Sequence, residues 1–218
     1  MAERLSALFS RAFSHWPLAI SFFMKQLLIF LFSVFVLCAC VPPSVDQPDA
    51  PNTPEQPETP ERPENALSTL TEDVTLVFGA DTSLCYADCF GDYYRTGLYM
   101  WQFYFMEFST KEMLCIEVMV NPDELTVPTG TFLATSDIYK ANGMIQGIID
   151  EEDYQTYSWY TLTNSKGQIL ARAPIAKGSV MVAANDDGTH TATFSLEDDA
   201  FNKITGEYSG IIIVEDFR

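Results

Sequence analysis

The residues able to do chemistry are few, and most of them lack partners. Beyond the first 40 residues the sequence has one imidazole, His190, and three thiols, Cys85, Cys89 and Cys115. A Ser or Cys nucleophile needs a base held beside it. His190 follows Asp187-Gly188-Thr189 and reads as a solvated turn residue. No Gly-x-Ser-x-Gly elbow occurs, and a zinc site has no second His to draw on. In a straight strand Cys85 and Cys89 share a face about 13 Å apart. That is beyond the roughly 7 Å Cα separation of a disulfide. Either one could pair with Cys115, or all three are buried thiols.

The acids are more numerous. Asp150-Glu151-Glu152-Asp153 is the densest cluster, read as a charged loop between strands or as oxygen ligands for calcium. It lacks the spaced Asp-x-Asp-x-Asp-Gly pattern of a loop built for that ion. Two carboxyls about 5–10 Å apart could hydrolyse a glycosidic bond, which leaves a carboxylate-dependent hydrolase as a remote alternative. The aromatic residues carry more. Tyr154, Tyr157, Trp159 and Tyr160 stand among polar residues just after the acidic loop. Such rings stack on the apolar faces of sugars, anchor protein partners, or half-bury in a sheet. In Leu98–Phe108 (LYMWQFYFMEF) both alternating faces are apolar, as expected of a central strand buried on both sides.

These groups must be positioned by strands. From Val74 onward the pattern has period two, broken by turn signals. Strands are predicted at Val74–Gly79, Thr82–Tyr94, Gly97–Ser109, Glu112–Val120, Gly130–Thr135 and Met144–Asp150. Others follow at Thr156–Thr163, Gln168–Arg172 (stopping before Pro174), Ser179–Ala184, Thr189–Glu197 and Lys203–Glu215. Ala192, Phe194 and Leu196 alternate with Thr191, Thr193, Ser195 and Glu197, the pattern of an antiparallel sheet with one wet face. No helical stripe of useful length occurs after residue 66. The fold class is all-β: about ten strands in an antiparallel β-sandwich or flattened barrel.

The chain ahead of this domain has a different composition. Leu27–Leu37 (LLIFLFSVFVL) follows Met24-Lys25, the layout of a secretory signal peptide, and is about half the length of a spanning helix. Leu37-Cys38-Ala39-Cys40 resembles the bacterial lipobox, which implies lipidation of Cys40 and cleavage before it. Acyl chains such as palmitate would then attach the chain stably to a membrane. The stretch 1–23 is either a mis-assigned start, with Met24 the true one, or a long leader; an uncleaved anchor over 17–41 is the other reading. Residues 41–65 are rich in Pro and acids and read as an extended tether. The organisation is therefore 1–39 leader and signal, 40–65 lipidated Cys and tether, and 66–218 one domain.

Gly188–Ile213 (GTHTATFSLEDDAFNKITGEYSGIII), with Gly91–Gly97 (GDYYRTG), Pro128–Phe132 (PTGTF) and Cys40, resembles small all-β surface lipoproteins of Bacteroides-type bacteria. The resemblance covers about half of the domain. It implies a β-sandwich or lipocalin-like fold on the cell envelope and assigns no catalytic residue. The cysteine content departs from that family.

The formal charge is −18. Residues 66–218 hold 23 Asp/Glu against 8 Lys/Arg, leaving −15 on the domain. Such a surface repels phosphate backbones and argues against a nucleic-acid partner. The expected function is non-catalytic binding by an outer-membrane lipoprotein, with a polysaccharide as ligand and no cofactor unless calcium. The alternative is a structural or protein-interaction subunit of an envelope or adhesion complex.

Overall fold

The computed structural model describes residues 61–122 and 126–218. The leader, Cys40 and the tether as far as residue 60 lie outside the described residues. Among those residues every regular element is a strand: β1 (Val74–Val77), β2 (Ser83–Gly91), β3 (Tyr99–Glu107), β4 (Glu112–Val120), β5 (Gly130–Thr135), β6 (Gly143–Ile145), β7 (Ile148–Ile149), β8 (Gln155–Thr156), β9 (Trp159–Thr163), β10 (Ile169–Ala184), β11 (His190–Asp198), β12 (Lys203–Gly210) and β13 (Ile212–Asp216). No helix among them is long and apolar enough to cross a membrane.

Eleven strands form one sheet in the order β1-β12-β11-β10-β5-β6-β4-β3-β2-β13, with β9 bridging β10 and β4. The hairpin β7–β8 stands apart. β12 and β13 lie towards opposite ends of this order, yet only Ile211 separates them in the chain. The single predicted strand Lys203–Glu215 is thus two strands that bring the sheet's ends together, giving barrel-like closure. The Tyr208 hydroxyl donates to the Ile211 carbonyl at 2.7 Å across that crossing.

The alternation read in the sequence sends one set of side chains to a common core. Phe103 and Phe105 of β3, Leu114 and Ile116 of β4, and Phe194 of β11 are all but inaccessible there. Each such ring or branched chain contributes roughly 1.5–3 kcal/mol when fully buried. Cys85 and Cys89 lie in this core opposite Phe105 and Trp101. Cys115 has the other parity on β4, so it projects from the opposite face of the sheet. All three are free thiols; a disulfide to Cys115 would have to pass through the sheet.

Several boundaries depart from expectation. Gln168–Arg172 and Ser179–Ala184 are one long strand, β10, with a register shift between Ile175 and Lys177. The Ile175 N–H donates towards β9, to Ser158 O at 3.0 Å. The nitrogen of Pro174 therefore faces the other edge, where pairing with β11 has not yet begun, and loses no ladder bond. Met144–Asp150 is split at Gly147, where an added methyl would meet the Ser158 carbonyl and Pro174. Thr156–Thr163 is split at Tyr157, whose φ is +72°. The sheet is also not wholly antiparallel: β1–β12, β13–β2 and β5–β6 pair parallel. His190 is the first residue of β11 and half-buried, rather than a solvated turn residue. Within the expected tether, Arg62 donates to the carbonyls of Ser68 and Leu70, so ordered contacts begin before residue 66.

Candidate functional site

The second face of strands β2, β3, β4 and β9 is the one of interest. Strand register sets its side chains in rows. Tyr86, Tyr104, Cys115 and Trp159 form one row across the four strands. Asp88, Gln102 and Glu117 form the next across three, continued by Glu215 on β13. This face is a mixed polar and aromatic surface, where a dry layer was expected for the Leu98–Phe108 strand. Met100 is buried, whereas Gln102, Tyr104 and Met106 are half-buried.

Two segments rise over it. After β2 the chain turns through Gly91–Leu98. The Asp92 carboxylate accepts the N–H groups of Thr96 at 2.7 Å and Gly97 at 3.1 Å, and Arg95 and Gly97 take positive φ. This turn presents Tyr93 and Tyr94, packed edge to face with centroids 5.0 Å apart. The other segment is the hairpin β7–β8 with its exit through Tyr157. Tyr94 and Tyr157 meet edge to face at 6.2 Å. A left-handed backbone at a Tyr costs about 1–3 kcal/mol, and here it turns the ring into the space above the sheet. Between the two segments lies a cavity of about 420 Å³, lined by both and floored by Tyr104, Cys115 and Trp159 of the first row and Gln102 and Glu117 of the second. That volume lies in the ~300–1,000 Å³ range of small-molecule sites.

Glu117 is the carboxylate that lines it. The residue is 1% exposed. One oxygen accepts the Tyr94 hydroxyl at 2.9 Å and the other accepts Gln102 Nε2 at 2.9 Å. Gln102 Oε1 in turn accepts the Tyr104 hydroxyl at 2.6 Å. Burial pushes the Glu117 carboxyl up, and the hydrogen bonds from Gln102 and Tyr94 offset only part of that. Burial, with the Glu117 charge behind it, raises the phenols of Tyr94 and Tyr157. Burial, with Glu117 and Asp88 adding, pushes the Cys115 thiol up to about 12, which keeps it a thiol and a poor nucleophile. Asp88 does not line the cavity. Burial, with Glu215 adding, brings its carboxyl to about 6, and its Oδ1 is buried without a hydrogen-bond partner. The ion pairs among the described residues are Lys177–Glu197 and Arg218–Asp216, and no Lys, Arg or His lines the cavity.

The four aromatic residues singled out in the sequence separate. Tyr157 and Trp159 line the cavity. Trp159 is 3% exposed, with its Nε1 donating to Thr156 O at 2.8 Å, so it is wall more than platform. Tyr160 has the opposite parity on β9. It sits in the main core with its hydroxyl on Glu112 at 2.9 Å. Tyr154 is 64% exposed at the hairpin turn and outside the cavity. The four therefore do not make one surface platform, because a strand sends neighbours to opposite sides.

The acidic loop has a structural task. Asp150 Oδ1 accepts the N–H groups of Glu152 and Tyr154, each at 2.9 Å, and Oδ2 accepts the Thr156 hydroxyl at 3.3 Å. Glu151, Glu152 and Asp153 are exposed. Among the described residues no three His, Cys, Asp or Glu side chains converge as a metal group.

The residues missed by reading the sequence are Tyr93, Tyr94, Gln102, Tyr104 and Glu117. A signal existed for two of them: Gln102 and Glu117 are lone polar residues inside otherwise apolar strands, at positions that register makes neighbours. Comparison with protein-family models, with curated proteins and with solved structures finds no match to this chain.

Proposed function

We propose that this chain is an exported lipoprotein, anchored to the outer membrane through Cys40, whose β-domain binds a glycan without chemically altering it. The observation that carries the reading is the cavity: tyrosine rings on its walls, and Gln102, Glu117, Gln155, Thr156 and Thr161 as polar groups within it. A sugar ring needs this combination, an aromatic surface for its CH face and convergent hydrogen-bonding groups for its hydroxyls. Binding is favoured over hydrolysis because, among the described residues, Glu117 is the one carboxylate lining the cavity, and a two-carboxylate mechanism needs a second. The lipobox-like Cys40 and the Pro-rich segment after it support display at a distance from a membrane.

Affinity electrophoresis of the full-length protein in a non-glycosidic detergent, across plant, host and microbial polysaccharides, tests the reading. Retardation by one polysaccharide class is expected, reduced about five- to tenfold in affinity for Tyr93→Ala, since losing a stacked ring costs of the order of 1–1.5 kcal/mol. Tyr93 is 63% exposed, so this change spares the fold. Retardation lost on chelation would bring calcium and the Asp150–Asp153 loop into the site. No retardation by any polysaccharide would overturn the glycan reading in favour of a protein-interaction subunit.

A further inference from the structure

We propose that the cavity selects a sugar carrying a free amino group, its ammonium ion seated against Glu117 among the rings of Tyr94, Tyr104 and Tyr157. The inference rests on the glycan reading and deepens it.

Among the described residues, Glu117 is a buried carboxylate with no cationic partner, exposed to solvent at 1% and placed at a cavity. A buried charge is normally paired, because leaving it alone is costly. Its two hydrogen-bond donors, Tyr94 and Gln102, are neutral. They hold the carboxylate in place and occupy about half of its roughly four lone-pair sites. What remains has no donor among the described residues, and Glu117 lines the cavity. The groups that face it are Tyr94 from the turn after β2, Gln102 and Tyr104 from β3, Tyr157 and Ser158 from the segment before β9, and Cys115 on its own strand. None of these supplies a positive charge.

The rings complete the chemistry. An ammonium ion is attracted to aromatic faces, and recognition of organic cations commonly uses a cage of such rings. In the row that holds Glu117, Asp88 and Glu215 extend the negative field towards β13. The same arrangement opposes anionic sugars, because a uronic acid would bring a second carboxylate to a desolvated one.

Isothermal titration of the full-length protein tests this with four probes: a glucosamine oligosaccharide, its N-acetylated counterpart, a uronic-acid oligosaccharide and choline. The amino form is expected to bind about tenfold or more tightly than the acetylated one, the size of one desolvated cation–aromatic contact. The uronic acid should be excluded, and Glu117→Gln should abolish the preference for the amino form over the acetylated one. A pH series on the unaltered protein gives the same answer without relying on that variant: the preference should narrow as pH falls and Glu117 takes up a proton. Equal affinity for the amino and acetylated forms would overturn this inference and leave the glycan reading standing. Choline bound as tightly as the amino sugar would overturn the sugar part of it. Failure of every oligosaccharide and of the polysaccharide panel would remove the glycan reading itself.

Discussion

At the scale of the residue, two carboxylates with opposite surroundings give opposite pH dependences. Glu107, at the end of β3, is 2% exposed. It accepts the N–H of Gly79 at 2.8 Å, and the N–H and hydroxyl of Ser109 at 2.9 and 2.6 Å. Burial alone would raise its carboxyl; these bonds, with one from Thr82, outweigh that and bring it to about 2. A depressed carboxyl stabilises the fold fully above its unfolded value, near 4.3, and that stability is lost as pH falls towards 2. Asp88 is the reverse. Its carboxyl lies at about 6, so the fold loses stability as pH rises from about 4 to 6 and the unpartnered side chain ionises. Chemical denaturation at pH 3, 5 and 7 separates the two. Glu107→Gln should be less stable than the parent at pH 7 by about 1–3 kcal/mol, with the gap shrinking at pH 3. Asp88→Asn should be more stable at pH 7 and equal at pH 3. A gap independent of pH in either variant would refute its assignment. Asp88 and Glu117 were visible in the sequence only as isolated acids in apolar strands. Their meaning depends on register, which pairs residues about 15 positions apart and which local pattern cannot supply.

At the scale of the element, most strands were legible because alternation and turn residues are local. Glu112–Val120 and Gly130–Thr135 fall where the pattern puts them. The failures share a cause. β10 changes partner from β9 to β11 along its length, and the sequence around Pro174 reads as a stop only if one partner is assumed throughout. Next to the bulge at the handover lies Gly178, whose φ is +101° and where a methyl would collide with the backbone of Ser195 and Leu196. Gly188, in the β10–β11 turn, has φ +82° and open space around it. Gly178→Ala should therefore cost clearly more than Gly188→Ala. The latter carries only the left-handed penalty of about 1–2 kcal/mol, while the former adds displacement of a paired strand. Thermal unfolding of the two variants measures this, and equal melting temperatures would mean that the bulge yields freely. The same partner switching hid the site. The cavity wall at Tyr157 exists because the chain leaves β8 and re-enters the sheet as β9, a break that the predicted strand Thr156–Thr163 does not announce.

At the scale of the whole molecule, closure depends on the last few residues. β13 lies parallel to β2 over Ile212–Asp216. The tail beyond it continues the contact: the Phe217 N–H donates to Cys89 O at 2.8 Å, its ring stacks on Phe90 at 5.2 Å, and the Arg218 guanidinium lies 5.6 Å from the Tyr99 ring centre. The segment therefore seals the β2 edge, beneath which Cys85 and Cys89 are wholly buried. Burial, with the charge of Asp88 adding, raises the Cys85 thiol far above its ordinary value, so it is shielded twice, by access and by its scarce thiolate. Cys115 belongs to the cavity face and owes its burial to other elements. Deleting residues 212–218 should then expose the two groups of thiols unequally. Alkylation under native conditions, read out by peptide mass, should label Cys85 and Cys89 much faster in the truncated chain and leave Cys115 little changed. Uniform acceleration of all three would mean that the domain unfolds without β13, and closure would be a condition of folding. No acceleration at Cys85 or Cys89 would mean that the β2 edge is protected without its parallel partner. The rings of Phe90 and Tyr93 connect this seal to the cavity mouth, packed edge to face at 6.3 Å. A truncated chain that stays folded should also bind the glycan proposed for the cavity more weakly, because the turn carrying Tyr93 and Tyr94 loses the ring that backs it.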